Sequence, residues 1–214
     1  MCNRGARASV VSLVVLIAIS FFPFAGFAEQ PRSGGAKKAD SASADQSGRD
    51  SWYIGLGLGA GLVAEAKSDA YGTVTFDDAY KGAKDVSPKI GVNFKIGKTL
   101  SPSMLLGLDV TAVVQTAKDM QQQINNYFLM FTYFPAEEGL FIRLGGGLSS
   151  YASKTGSNSF DVSGTGFLGG VGYAFGSGKG ATLTMNVDYS MQSYGSKGMK
   201  SSDFVIAYLG VDWY

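Results

Sequence analysis

From residue 52 onward the chain alternates. Residues 52–65 read WYIGLGLGAGLVAE, with Trp52, Ile54, Leu56, Leu58, Ala60 and Leu62 on one parity and Tyr53, Gly55, Gly57, Gly59 and Gly61 on the other. A period of two predicts a strand with one apolar face. The pattern returns at Ile90, Val92, Phe94 and Ile96 against Lys89, Gly91, Asn93 and Lys95, then at Leu106, Leu108, Val110, Ala112 and Val114 against Gly107, Asp109, Thr111 and Gln115. A fourth strand, Asn125 to Phe134, has two mixed faces, and Tyr127, Leu129, Phe131 and Tyr133 are assigned outward. Strand five sets Leu140, Ile142, Leu144 and Leu148 against Phe141, Arg143, Gly145 and Gly147. Strand six sets Phe167, Val171, Tyr173 and Phe175 against Gly164, Gly166, Gly170 and Gly172. The seventh opposes Leu183, Met185, Val187 and Tyr189 to Thr184, Asn186, Asp188 and Ser190, and the eighth opposes Val205, Ala207, Leu209, Val211 and Trp213 to Tyr208, Gly210, Asp212 and Tyr214.

The connections alternate too. Short turns are expected at Lys98–Ser103, Ala136–Gly139 and Gly176–Gly180, and longer polar loops at Lys67–Asp85, Thr116–Ile124, Ala152–Ser159 and Gln192–Ser202. That layout predicts an all-β, eight-stranded antiparallel up-and-down transmembrane barrel, with its turns in the periplasm and its loops outside. About eleven residues per strand, rising ~3.3 Å each and tilted near 45°, climb roughly 26 Å, which fits an apolar belt of ~25 Å.

Alternation alone does not say which face looks inward, since a soluble lipocalin-type barrel is greasy inside and polar outside. The non-apolar faces decide. Rows of glycine make a poor soluble exterior but suit a narrow lumen. The same faces carry Lys89, Lys95, Asp109, Arg143, Asp188 and Asp212, and with Glu65 these are expected to pair in a closed polar interior. Strand directions put Lys95, Asp109, Arg143 and Asp212 in the periplasmic half and Glu65, Lys89 and Asp188 in the outer half. Such a network plugs the lumen; the functional alternative is a narrow ion path. Trp52, Tyr133, Tyr173, Phe175 and Trp213 are read as interfacial girdle residues, joined near the strand ends by Tyr53, Phe134 and Tyr214.

Ahead of the barrel, Arg4 and Arg7 precede an apolar run from Val10 to Phe22, and Gly26-Phe27-Ala28 offers small residues to a signal peptidase. Residues 1–28 are therefore expected to be a cleaved export signal. Residues 29–50 have no large apolar side chain and are expected to be a disordered periplasmic segment; residues 51–214 form the barrel.

Charge and composition narrow the function. Eighteen basic against 17 acidic residues give +1, which argues against a nucleic-acid binder. There is no histidine, and the single cysteine, Cys2, lies before the apolar run, so no zinc site, metal, cofactor or disulfide framework is expected. The loop at 67–85 mixes aromatics with Asp69, Asp77, Asp78 and Asp85 and is the leading candidate for an external ligand surface. The plainer reading is that TVTF prolongs the strands beyond the membrane while acidic residues keep the tip soluble.

The opening WYIGLGLGAG, the strand GTGFLGGVGYAFG, the aromatic end VDWY and the cleavable signal together resemble the small eight-stranded outer-membrane barrels of Gram-negative bacteria, the family that includes the OmpA transmembrane domain and the OmpX-like and OmpW-like proteins. The resemblance covers about Ser51 to Tyr214. It implies residence in the cell outer membrane among lipid and lipopolysaccharide. It also implies periplasmic chaperones and a barrel-assembly machinery that reads a terminal aromatic, here Trp213 or Tyr214. Enzymes among such barrels rely on a histidine as general base, so the resemblance implies no catalytic role for a chain without one. A structural, envelope-integrity or surface-interaction role through the loops leads. A narrow conduit for small solutes or hydrophobic compounds comes second, and a soluble periplasmic lipocalin-type binding barrel third.

Overall fold

The computed structural model describes Ser51–Tyr214 apart from Tyr71, Lys84, residues 177–179 and Lys197, so the predicted export signal and the segment 29–50 lie outside the described residues. In chain order the elements are β1 (Trp52–Ser68), β2 (Gly72–Thr75), the helical turn α1 (Phe76–Ala79), β3 (Ile90–Ser101), β4 (Met104–Ala117), β5 (Met120–Tyr133), β6 (Leu140–Thr155), β7 (Asn158–Phe175), β8 (Ala181–Ser193) and β9 (Ser201–Trp213). β1 and β3 to β9 each pair antiparallel with the next, and β9 closes on β1 from Ile54↔Trp213 to Lys67↔Ser201. The result is a closed eight-stranded up-and-down barrel. β2 is a short ninth strand folded back onto the far end of β1. Closure gives the spanning backbone its hydrogen-bond partners within the barrel itself.

The apolar face looks outward. Leu58, Leu108, Leu148 and Leu209 are each more than half exposed, while Arg143, Asp109 and Asp188 on the opposite parity are at most 2% exposed. This inverts a lipocalin-type barrel and rules that reading out. Trp52, Tyr173 and Phe175 stand exposed at the end bearing the short turns. Tyr133 and Trp213 are half-buried on the same outer face. Tyr53 and Phe134, expected in that girdle, instead point into the lumen and are buried, and Tyr214 packs against them from inside.

Two predicted loops are strands. Thr116–Ile124 is covered by β4 and β5, which run to a two-residue turn at Lys118 and Asp119, and Ala152–Ser159 is covered by β6 and β7 about a turn at Gly156 and Ser157. Gly156 takes φ +57°, the left-handed conformation that two-residue hairpins favour. β7, with 18 residues, rises ~42 Å at a 45° tilt, well beyond a belt of ~25 Å. The β4–β7 side is thus a wall standing above the belt.

The register of β1 also departs from strict alternation. A bulge between Gly61 and Val63 leaves both Leu62 and Val63 exposed. Every side chain after it changes face. Glu65, expected in the lumen, therefore lies outward, opposite Asp203 of β9.

A sealed lumen beneath an outer cup

Inside the barrel the side chains form three levels. At the turn end Tyr53, Leu105, Phe134, Phe141 and Ala174 form a buried apolar cluster joined by Tyr214, with the Phe134 and Phe141 rings 5.0 Å apart and Tyr53 and Tyr214 5.9 Å apart.

Above them lies a charge layer drawn from five strands. The Arg143 guanidinium of β6 donates to Asp188 Oδ2 of β8 at 2.8 Å, to Asp109 of β4 and to the Tyr208 hydroxyl of β9. Tyr208 donates in turn to Asp188 Oδ2 at 2.8 Å, and Asn93 Nδ2 and Thr111 Oγ1 donate to Asp109 Oδ1 at 2.6 and 2.7 Å. Lys95 Nζ reaches both oxygens of Asp212 at 3.2 Å and stands 5.7 Å over the Tyr208 ring. Glycines make the room. A Cβ at Gly170 would stand 1.9 Å from Asp188 Oδ1 and one at Gly55 2.1 Å from Asp212 Oδ1, so larger residues there would displace the carboxylates. The cavity left where this layer meets the aromatic plug is about 10 Å³. That is hardly room for one water molecule.

Of the seven residues singled out from the sequence, Lys95, Asp109, Arg143, Asp188 and Asp212 meet in this layer. Asp188 was expected in the outer half, but the barrel's stagger brings it level with Arg143. Glu65 is on the outer face. Lys89 pairs elsewhere: its ammonium holds Asp77 at 2.6 Å.

That pair belongs to the third level, where the segment between β1 and β3 turns into the barrel mouth. Residues Gly72–Thr75 do extend the sheet, as TVTF suggested. Thr75 then caps α1, accepting from Asp78 N at 3.0 Å, and the turn drops Phe76 into the lumen at 1% exposure. Phe76 joins Val113, Ile124, Tyr151, Tyr194 and Phe204 in an apolar cluster and meets the Tyr151 ring edge-on at 6.2 Å. Tyr80 is likewise buried and donates to the Gln115 carbonyl at 2.9 Å, while Gln115 Nε2 donates to Asp77 Oδ1 at 3.2 Å. The hydrogen bond from Lys89 is the largest influence holding the Asp77 carboxyl below its usual range, and burial pushes the Tyr80 phenol up to about 12. The strand extension and its exposed acidic residues, Asp69, Asp77 and Asp78, are as expected, but the aromatics between them make the segment a latched plug. The sequence signal was present in Phe76 and Tyr80, two of the three aromatics in a loop otherwise rich in polar residues.

Over this plug, between it, the tall β5–β7 wall and the segment before β9, lies an open cup of about 450 Å³. Val74, Met120, Tyr151, Phe160 and Met199 give it apolar sides, with Gln122 and Ser153 among its polar groups. Sequence reasoning missed it because its walls come from segments read as separate loops.

Comparison with solved structures finds the same architecture. Ail, the attachment invasion locus protein of Yersinia pestis, matches at 12% identity over 77% of this chain and 99% of that one, with a TM-score of 0.52. Neisserial surface protein A matches at 17% identity over 76% and 96%, TM-score 0.49. The outer membrane protein OprG from Pseudomonas aeruginosa matches at 13% over 79% and 98%, TM-score 0.45. At such identities the likeness is one of fold: this chain folds as a small eight-stranded outer-membrane barrel. No protein-family profile and no curated protein sequence matches it.

Proposed function

We propose that the protein sits in the outer membrane of a Gram-negative cell as a closed, non-conducting barrel that acts at the cell surface through its loop end. The observation that carries this reading is the contrast between the two ends of the lumen. The interior is filled by an aromatic plug, a paired charge layer and a latched loop, with about 10 Å³ left beside the charges, whereas the loop end opens as a cup of about 450 Å³. A conduit for small solutes has no room in such an interior, and eight strands leave space for side chains and little more. A catalytic role is not part of the proposal: the chain has no histidine to serve as a base near neutral pH.

The exposed apolar belt would lie among lipid and lipopolysaccharide chains, and Trp213, on the outer face where Tyr214 is inside, is the terminal aromatic offered to an assembly machinery. The test is conductance of the refolded protein in planar bilayers, together with proteolysis of intact cells. Silent bilayers are expected, and protease added to intact cells should cut within residues 69–89 only once Phe76→Ser has freed the latched segment; steady, reproducible channels would overturn the reading.

A further inference from the structure

We propose that the loop-end cup is a binding site for a small neutral amphiphile, one aliphatic or aromatic chain ending in an uncharged hydroxyl or amide head. The inference rests on the surface-acting reading above and deepens it. At about 450 Å³ the cup has the size of a small-molecule site, which commonly runs ~300–1,000 Å³.

Its floor is preorganised. Tyr151 is 8% exposed, donates its hydroxyl to Gln122 Oε1 at 3.1 Å and rests on Phe76 below. Phe160, on the lumen-side register of β7, lies 6.3 Å from the Tyr151 ring yet is 40% exposed. An aromatic ring half in water beside a buried one is an apolar surface that lacks a cover. Met120 and Met199 flank it, and unbranched thioethers adapt to chains of varied shape.

The head group follows from the charges. Among the described residues Asp, Glu and Arg are absent from the lining; the polar groups there are amides and hydroxyls such as Gln121, Gln122, Ser153 and Thr155. The one charged residue among those described at the wall, Lys154, sits at the outward register of β6 with Leu148 and Ala152. A cationic head leaving water there would meet no carboxylate of the described lining and an anionic one only the outward-set Lys154, which is costly, whereas a hydroxyl or amide would find partners. The cup also stands clear of the belt. Phe160 is five residues, ~12 Å at the strand tilt, beyond Thr165, the register partner of Leu148. Its ligand therefore arrives as a monomer from outside the cell.

The test uses the full mature chain in lipid nanodiscs with carbon-13 methyl-labelled methionine. It is titrated with 1-octanol, and with octanoate and octylammonium as anionic and cationic controls of equal chain length. The expected result is a saturable shift of the Met120 and Met199 methyls by octanol, at least tenfold weaker with either charged chain. Met185 and Met191, exposed on the outer face, should drift without saturation as octanol enters the lipid. Phe160→Gln should remove the saturable phase while leaving the unboiled mobility of the barrel unchanged. The proposal is overturned if Met120 and Met199 merely drift with Met185 and Met191, or if the charged chains saturate the cup as readily as octanol. These failures are separable from failure of the surface-acting reading, since a flat titration with silent bilayers removes the ligand alone, and channels in bilayers remove the sealed barrel whatever the titration shows.

Discussion

Replacing Arg143 by methionine removes the one side chain that ties β4, β6, β8 and β9 together in the lumen. Arg143 is 2% exposed and serves Asp109, Asp188 and Tyr208 at once. Without it, three buried carboxylates, Asp109, Asp188 and Asp212, face Lys95 as the remaining buried cation among the described residues. Breaking a buried pair from one side costs about 3–5 kcal/mol, mainly because the partner is left charged and uncompensated. The loss is expected within that range, read from urea unfolding of the protein in lipid vesicles, followed by the fluorescence of its two tryptophans. Removing the stranded charges should return most of it, so Arg143→Met combined with Asp109→Asn and Asp188→Asn should be more stable than Arg143→Met alone. In a double-mutant cycle, Arg143→Met and Asp188→Asn should couple by about 1–3 kcal/mol. Arg143→Lys keeps the charge without the planar fork and should fall between the parent and Arg143→Met. A loss under ~1 kcal/mol for Arg143→Met, with an additive cycle, would refute a load carried by this charge layer.

Four further outcomes are expected. Gly170→Ala, whose Cβ would stand 1.9 Å from Asp188 Oδ1, should cost ~1–3 kcal/mol by pushing the carboxylate off Arg143. Gly169→Ala, whose Cβ meets Leu144 Cδ2 at an ordinary 3.6 Å, should stay within ~0.5 kcal/mol in the same assay. Phe76→Ser should free the plug without opening the barrel, so that trypsin cleaves at Lys81 in a protein whose unboiled mobility is unchanged. The latch should be acid-sensitive: the folded Asp77 carboxyl is held below its ordinary 3.8, so its contribution is present above that value and is lost as pH falls through the lower folded one. Trypsin-independent cleavage by pepsin between residues 69 and 89 should accordingly rise only below about pH 4, and Asp77→Asn should flatten that dependence.

Alternation carried the strand count and the inside–outside assignment wherever one face was apolar, because a period of two is a local property of the backbone and lipid demands an unbroken greasy face. Leu129 and Phe131 of β5 and the glycine-rich face of β7 were legible for that reason. The composition of the lumen was legible too, since a charge on the inner parity of a spanning strand has nowhere else to go. Where both faces meet water the signal vanishes, so the polar ends of β4 to β7, Thr116–Ile124 and Ala152–Ser159, read as loops although their backbones continue to pair.

Tertiary structure decided the rest. A one-residue bulge at Leu62 turned Glu65 outward, and nothing in the local pattern announces such a slip, because it depends on register with β9 across the closure. Barrel stagger chose the partners, bringing Asp188 to Arg143 over 45 residues of chain and leaving Lys89 to Asp77. The inward fold of Phe76 and the cup above it arise from segments far apart in sequence meeting at one rim, and only closure of the sheet places them together.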